Sequence, residues 1–262
     1  MTGRFSNLEF DDQRREEATR SEQVDFRARD AWAVLEQAHR ANHEAEYETA
    51  LRLYTRALME DRRLIRAWVG QVQMLVALGE FHEARLWSDK AMEIFRHNGE
   101  LLAAKAQACV RLKDRKAALA CSDGSLQCPG SSPWRWEVRG EVLLARRERQ
   151  YEDCFRKALA EPGADWFDRV VIARILGFHR RLAQALQYLQ EALELAPTQA
   201  CTWNELGSCQ RDLGLTDLAR TSFERCLELQ PNCLPALESL QRLANFSIGD
   251  HIRQMVRRWT GR

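Results

Sequence analysis

Apolar residues recur along the chain at steps of three and four residues, in segments of about a dozen positions. Two neighbouring segments, RAWVGQVQMLVALG at 66–79 and FHEARLWSDKAMEIF at 81–95, show the pattern clearly. Their regularly spaced apolar or small positions are Trp68, Val72, Leu75, Ala84, Trp87, Ala91 and Ile94. This spacing fits the 3.6-residue period of an α-helix and not the alternation of a strand. The pattern therefore predicts pairs of amphipathic helices.

Glycine and proline separate these predicted helices. Gly79 and Gly214 stand between two helical segments, where a left-handed residue is expected at a helix end. Pro129, Pro197 and Pro231 follow helical segments, and proline cannot continue a helix because it lacks the N–H group and clashes with the preceding turn. The punctuation predicts short turns inside each pair and between pairs.

The helical pattern repeats with a period near 34 residues. One series of apolar positions has separations of 34, 34, 33, 34 and 34: Leu58, Met92, Leu126, Leu159, Leu193 and Leu227. A second series has the same spacing and is small at every position but one: Ala50, Ala84, Ala118, Tyr151, Ala185 and Ala219. Four residues after it comes a third series that fills the space between helices: Tyr54, Ser88, Ser122, Phe155, Leu189 and Phe223. Such a period in helical sequence predicts stacked helical hairpins, an all-α solenoid.

The period divides the chain into three parts. Residues 1–30 form a charged segment, expected to be partly helical or mobile. Residues 31–233 hold six two-helix units, at 31–64, 65–98, 99–131, 132–165, 166–199 and 200–233. Residues 234–262 are expected to form capping helices with a basic tail, because the end of a solenoid needs a polar outer face.

Charge and hydropathy exclude several classes of partner. The net charge of +1 creates no global field for nucleic acid or an anionic membrane, so neither is an expected partner. No run of about 18 apolar residues is present, so no membrane span is predicted. The first 30 residues lack the apolar stretch of a signal peptide, which favours a cytoplasmic protein.

No motif of catalysis or cofactor binding stands out. None of the eight cysteines forms a C-x-x-C pair, and a small buried hydrophobic role is expected for them. His39 and His43 lie one helical turn apart, but only Glu44 could join them as a ligand at fixed spacing, so no metal site is predicted. We therefore expect no catalytic residues, no cofactor and no metal, and a protein that is not an enzyme.

The repeat unit resembles a known family. In unit 200–233, signature spacings are occupied by Trp203, Leu206, Gly207, Ala219, Phe223 and Pro231. These residues are similar to the tetratricopeptide repeat family, and the resemblance covers about residues 31–245. Unit 132–165 matches least, since Tyr151 takes a small position and the unit is one residue short. The resemblance implies a right-handed superhelix whose first helices line a concave groove that binds peptides or helices of partner proteins.

The outward positions of each first helix give the candidate groove. They include Leu35, His39, Asn42, Val69, Gln73, Val76, Ala77, Ala103, Gln107, Val110, Arg111, Trp134, Val138, Glu141, Phe167, Val170, Val171, Arg174, Phe178, Asn204, Glu205 and Arg211. The middle of this set is apolar, which predicts an exposed stripe for an amphipathic helix or an apolar peptide. Two alternatives stay open: the helix phase is shifted by one residue and these positions are core, or Phe5, Leu8 or Phe10 folds back into the groove.

The sequence thus favours a non-enzymatic interaction module or adaptor. The lysine and asparagine clamp that some family members use for carboxylate tails is absent from Leu35, His39, Gly70 and Gln73, so a chaperone-tail partner has little support. The alternatives are a scaffold that self-associates into a homo-oligomer and, less favoured, an RNA-binding helical repeat.

Overall fold

A computed structural model describes residues 30–244, which fold into thirteen helices without a strand. In chain order the helices are α1 (residues 30–43), α2 (Tyr47–Glu60), α3 (Ile65–Ala77), α4 (Phe81–Ile94), α5 (Gly99–Arg111), α6 (Arg115–Gln127), α7 (Pro133–Ala145), α8 (Tyr151–Ala160), α9 (Trp166–Phe178), α10 (Leu182–Leu195), α11 (Ala200–Asp212), α12 (Thr216–Leu229) and α13 (residues 234–244). Helices α1 to α12 form six consecutive pairs, here called units one to six. The predicted all-α solenoid is confirmed.

The units stack because each first helix contacts three neighbours. It packs against its own second helix, against the second helix of the preceding unit, and against the first helix of the next unit, as α5 does with α6, α4 and α7. Helices α3, α5, α7, α9 and α11 therefore form one inner layer, and the second helices lie outside it. Each repeat can bury its apolar face only with help from its neighbours.

Small residues let the two helices of a unit approach closely. The alanines Ala50, Ala84, Ala118, Ala185 and Ala219 are buried to 1% exposure or less. Four residues later, the side chains of the third series are buried as well, from Tyr54 to Phe223. Tyr151, the exception among the small positions, is buried at the start of α8 with its hydroxyl 3.0 Å from Gln184 Oε1. The large ring fits there because it reaches the next unit.

Two glycines of the first helices lie against aromatic rings of the second helices. A Cβ atom on Gly140 would come within 2.3 Å of a Phe155 ring carbon, and one on Gly207 within 2.7 Å of a Phe223 ring carbon. Both rings are almost fully buried and cannot swing away. Glycine is therefore required at these positions by the closeness of the helices.

We expect Gly140→Ala to lower the free energy of unfolding by about 1 kcal/mol, measured by urea denaturation. Overpacking a buried contact costs about 1–3 kcal/mol, and the better helix propensity of alanine offsets about 1 kcal/mol of it. Gly177→Ala is the matched control, since nothing lies within 4 Å of a Cβ placed there and that helical glycine gains only the propensity. Equal stability changes in the two variants would contradict the steric explanation.

The last described helix, α13, covers the sixth unit. Its Ala236 and Leu243 pack with Phe223 and Cys226 in one apolar cluster. The expectations for the N-terminal segment, for a second capping helix and basic tail, and for Phe5, Leu8 or Phe10 in the groove concern residues outside 30–244.

Candidate binding cleft

The inner layer curves so tightly that the first unit reaches the fifth and sixth. The His43 ring stacks on Phe167 with ring centroids 4.2 Å apart. The Tyr47 hydroxyl lies 3.4 Å from Glu205 Oε1, 158 residues further along the chain. The concave side of the solenoid is consequently a narrow cleft bridged by the protein's own side chains and not an open groove.

Fourteen residues line a cavity of about 260 Å³ in this space, here called the inner cleft. Eleven of them were predicted from the sequence: Asn42, Gln73, Val76, Ala77, Gln107, Arg111, Trp134, Phe167, Val171, Arg174 and Glu205. The others are Tyr47, Met74 and Ile175. The structure thus gathers residues from all six units around one small cavity with apolar and ionic walls.

One wall holds a buried ion pair between the third and fourth units. Arg111 Nε lies 2.6 Å from Glu141 Oε1, and the Glu141 side chain is completely buried. Gln107 donates to Glu141 Oε2 at 3.2 Å, and His179 Nε2 lies 3.4 Å from Oε1. Burial alone would raise the pKa of Glu141, but Arg111, His179 and Gln107 together lower it below its ordinary value. Glu141 is therefore a buried carboxylate stabilised by its neighbours.

A second ionic cluster closes the cleft near the first unit. Arg174 Nε donates to Glu205 Oε1 at 2.8 Å, and its guanidinium lies 5.3 Å from the Tyr47 ring centroid. Burial raises the pKa of Tyr47, and the neighbouring Glu205 adds to this effect. Arg174 Nη2 is buried and has no hydrogen-bond partner among the described residues. The guanidinium of Arg174 therefore keeps one buried donor without a partner in residues 30–244.

Six apolar residues of the predicted groove are almost fully buried in the stack and do not line the cavity. They are Leu35, Val69, Ala103, Val110, Val138 and Val170, each exposed by 8% or less. The inner helices contact each other side by side, so the next unit covers the flank of each inner face. The exposed apolar stripe expected from the sequence is thus absent at these six positions, as the alternative of core residues foresaw.

The remaining predicted residues lie at the margins of the cleft. His39 Nδ1 is 3.1 Å from the Tyr54 hydroxyl, inside the first unit. Phe178, which is 46% exposed, has the Arg111 guanidinium 3.7 Å from its ring centroid. Arg211 contacts Asp212 and Ser239. These side chains frame the cleft without lining its cavity.

Asn204 lies at a second cavity, of about 440 Å³, between the first and last units. The turn at 44–46 and the start of α2 form one side, and Cys201, Asn204 and residues 230–235 form the other. The Asn204 Oδ1 atom is buried and has no partner among the described residues. The contact between the two ends of the solenoid is therefore incompletely filled.

Sequence reasoning missed Tyr47, Met74 and Ile175. Tyr47 begins a second helix, while the groove was assigned to first helices alone. Met74 and Ile175 directly follow the assigned positions Gln73 and Arg174 in the sequence. No local pattern marks these residues, because they meet through the accumulated curvature of several units.

Three features of residues 30–244 concern membrane spans, metal sites and free thiols. No helix in 30–244 is long and apolar enough to cross a membrane. The same residues hold no group of three metal-ligating side chains of the usual types. All eight cysteines are unpaired, and burial raises the pKa of Cys109 and of Cys209 to about 11, which disfavours the reactive thiolate. The cytoplasmic location stays a prediction.

The sixth unit matches a known repeat. Residues 202–233, which contain α12 and most of α11, match the family model of the tetratricopeptide repeat. The fold of the whole described stack agrees with that match. The sixth unit is therefore similar to a tetratricopeptide repeat, and the described stack has the fold of such repeats.

Several known proteins resemble parts of the chain. A curated relative, the protein CTR9 homolog of Arabidopsis thaliana, is 31% identical over 122 residues, which is 45% of this chain and 11% of that protein. A thermophilic TPR protein of Thermus thermophilus has a TM-score of 0.53 and 20% identity, over 68% of this chain and 98% of that one. A tetratricopeptide repeat protein of Parabacteroides merdae has a TM-score of 0.51 and 16% identity, over 82% and 84%. The two structures support the fold alone.

The tetratricopeptide repeat match points to a coarse function. Its signature residues are packing residues, so they fix a scaffold and not a reaction. The matched repeat and the fold support a role in protein–protein interaction or as a scaffold.

Proposed function

We propose that this helical repeat protein is a non-enzymatic interaction module that binds a short apolar segment of a partner protein in the inner cleft. The observation that carries the proposal is the composition of the cavity wall. Trp134, Phe167 and Val171 offer apolar surface, and Asn42 and Gln73 add polar groups beside it. Binding pockets commonly combine mostly apolar walls with a few polar groups that fix orientation.

The width of the cleft favours an extended peptide over an amphipathic helix. A helix with its side chains is about 10 Å across. His43 and Phe167 already stack across the opening, and Tyr47 reaches Glu205. A cavity of about 260 Å³ is slightly smaller than the roughly 300–1,000 Å³ of most ligand pockets, so it suits one or two anchoring side chains.

An apolar side chain of an extended segment would enter the cavity beside Phe167 and Val171. Arg174 at the cavity wall is already paired with Glu205, so a neutral segment suffices.

Filling the cavity should abolish binding while leaving the fold intact. Ala77 lies on the cavity wall and is exposed, so Ala77→Trp adds an indole there without breaking a core contact. We expect partner capture to fall by about tenfold or more, which corresponds to losing roughly 1.4 kcal/mol or more of binding free energy. The measurement is affinity purification from cell extract with quantitative mass spectrometry, beside a thermal melt of each bait.

The control for this experiment is Ala120→Trp, at an exposed position on the second helix α6. It adds the same indole away from the cleft. Proteins captured by the parent and by Ala120→Trp, but lost with Ala77→Trp, would support the proposal. A partner set that Ala77→Trp retains in full would refute binding in the inner cleft.

Self-association is a second candidate, favoured by apolar surface on the sixth unit and α13. Five exposed leucines lie there: Leu213, Leu215, Leu218, Leu234 and Leu237. Exposed apolar side chains of this size can take part in contacts between copies of a chain. Light scattering at several concentrations tests this candidate, and a monomer at every concentration would exclude it.

A further inference from the structure

The turn between the two helices of each unit contains one residue with a positive φ. In unit order these residues are Ala45, Gly79, Lys113, Arg147, Arg180 and Gly214, with φ of 60°, 86°, 64°, 64°, 60° and 79°. The left-handed conformation is thus a fixed feature of the unit. Glycine adopts it without steric strain, whereas an L side chain is strained there.

The three central turns place a long cation at this strained position. Gly79 and Gly214 show that glycine meets the same geometrical need in other units. The backbone is therefore less stable at Lys113, Arg147 and Arg180 than it would be with glycine, and each position carries a positive charge instead. Strain of this kind at a repeated position motivates a search for a function.

Further cations flank these three residues. Together they form a group of exposed side chains, here called the basic edge: Lys113, Arg115, Lys116, Arg147, Arg149, Arg180 and Arg181. Because units three to five stack in register, their turns follow one another along one edge of the solenoid. The edge is separate from the inner cleft, whose cavity none of these residues lines.

A recess concentrates the charge between the fourth and fifth units. It has a volume of about 650 Å³, and Arg147, Arg149, Arg180 and Arg181 all line it. Tyr151, Gln184 and Glu152 also line it, and Tyr151 donates to Gln184 Oε1 at 3.0 Å, so the recess holds four arginines and one carboxylate. Four guanidinium groups around one recess create a local positive potential that the net charge of the whole chain hides.

The nearby carboxylates already bind groups outside the basic edge. Asp114 caps α6 by accepting from the backbone N–H of Ala117 at 3.1 Å. Glu148 pairs with Arg146, which is outside the basic edge. Glu152 accepts from Tyr151 and from Gln184.

Most of the basic edge therefore lacks internal compensation. Within residues 30–244, Arg180 is the one member of the basic edge with a carboxylate within 4 Å, Asp212 at 3.5 Å. That ion pair is exposed and weakly held.

We propose that the basic edge is a docking surface for an acidic segment of a partner protein, rich in aspartate and glutamate. Arginine forks bind carboxylates through paired hydrogen bonds, and the recess presents four of them. A nucleic acid is disfavoured because single strands require exposed aromatic rings for stacking, and Tyr151 in the recess is buried. The site goes beyond the apolar cleft and can act together with it on one partner.

The test compares the full chain with the triple variant Lys113→Gly/Arg147→Gly/Arg180→Gly. The probe is fluorescein-labelled poly-glutamate of about 20 residues, followed by fluorescence anisotropy between about 50 and 200 mM salt. We expect binding by the parent that weakens with salt, and about tenfold weaker binding by the variant, as for the loss of three exposed ionic contacts. The melting temperature should be unchanged or higher, because glycine suits the left-handed turns.

Two comparisons make the result specific. The variant Arg56→Gln/Arg62→Gln/Arg96→Gln removes three exposed cations elsewhere, and we expect it to bind poly-glutamate within about twofold of the parent. The C-terminal arginines are the same in every variant, so their contribution cancels. Equal losses in the two triple variants, or no binding of poly-glutamate by the parent, would overturn the proposal. Tighter binding of a single-stranded oligothymidylate of the same length, lost in the glycine variant, would assign the edge to nucleic acid instead.

Discussion

Replacing Arg135 by methionine is expected to lower the free energy of unfolding by about 3 kcal/mol or more. Arg135 belongs to α7 and is only 4% exposed, yet it has no carboxylate partner within 4 Å in residues 30–244. Its guanidinium instead donates to the backbone carbonyls of Ser125, Cys128, Pro129 and Gly130. The side chain thus closes the C-terminal end of α6 and the turn that follows.

The size of the effect comes from the groups that methionine would leave behind. A helix end exposes carbonyls without partners and carries a partial negative charge, which a cation stabilises. Buried acceptors that lose their donor cost about 1–3 kcal/mol each. Relaxation and entry of water reduce the sum, so about 3 kcal/mol is a minimum estimate for four carbonyls.

Urea denaturation of Arg135→Met, beside Arg139→Met, measures this contribution. Arg139 lies on the same helix but forms a partly exposed ion pair with Asp123 at 2.6 Å, so its loss should cost less than about 1 kcal/mol. If Arg135→Met were as stable as Arg139→Met, the capping role of Arg135 would be wrong.

The same contact explains a residue that the sequence leaves unexplained. Gly99 begins α5, and a Cβ atom there would lie 2.8 Å from Arg135 Cζ. Because Gly99 in the third unit has no side chain, the guanidinium of Arg135 in the fourth unit can reach the carbonyls at the end of α6. The Ser125 hydroxyl also donates to the Gly99 carbonyl at 2.7 Å, which ties the three helices together.

Local features of the fold were predictable because they depend on nearby residues. The 34-residue period set the six units, and Gly79 and Gly214 have the left-handed conformation that the turns require. The alanines of the second series are buried as expected, since two close helices need small side chains whatever surrounds them. Such features follow from sequence spacing and steric rules alone.

The inner cleft could be predicted only in part because it depends on curvature. Small rotations between units add up over the whole stack, and they decide whether Tyr47 meets Glu205. Sequence spacing places both Phe167 and Val138 on the inner helices. It does not predict that Phe167 lines the cavity while Val138 is buried under the next unit. The buried network of Arg135 was missed for a related reason, since its partners are carbonyls, which carry no sequence signal.

Replacing Arg111 by leucine is expected to have the largest effect on the cleft, a loss of about 3–5 kcal/mol of stability at neutral pH. Removing one partner of a buried ion pair leaves the other charge uncompensated. Glu141 would keep Gln107 and His179 as neighbours, but its carboxylate is completely buried. Leucine has no group that could replace the guanidinium.

The contribution of Glu141 to the pH dependence of stability should change sign when Arg111 is replaced. In the parent, the lowered pKa of Glu141 gives stability that is present above the ordinary value of 4.5 and is lost as pH falls through the lower folded value. Without Arg111, burial becomes the dominant effect and raises the pKa. The variant should then gain stability as pH falls from 7 toward 5, relative to the parent.

Adding Glu141→Gln to Arg111→Leu distinguishes charge from packing. The amide has nearly the shape of the carboxylate and no charge, so the double variant should recover much of the lost stability and show little pH dependence between 5 and 7 from this site. Denaturant unfolding at several pH values measures both. A double variant no more stable than Arg111→Leu would mean that the packing of the arginine stem over Phe178, whose ring centroid is 3.7 Å from the guanidinium, matters more than the buried charge.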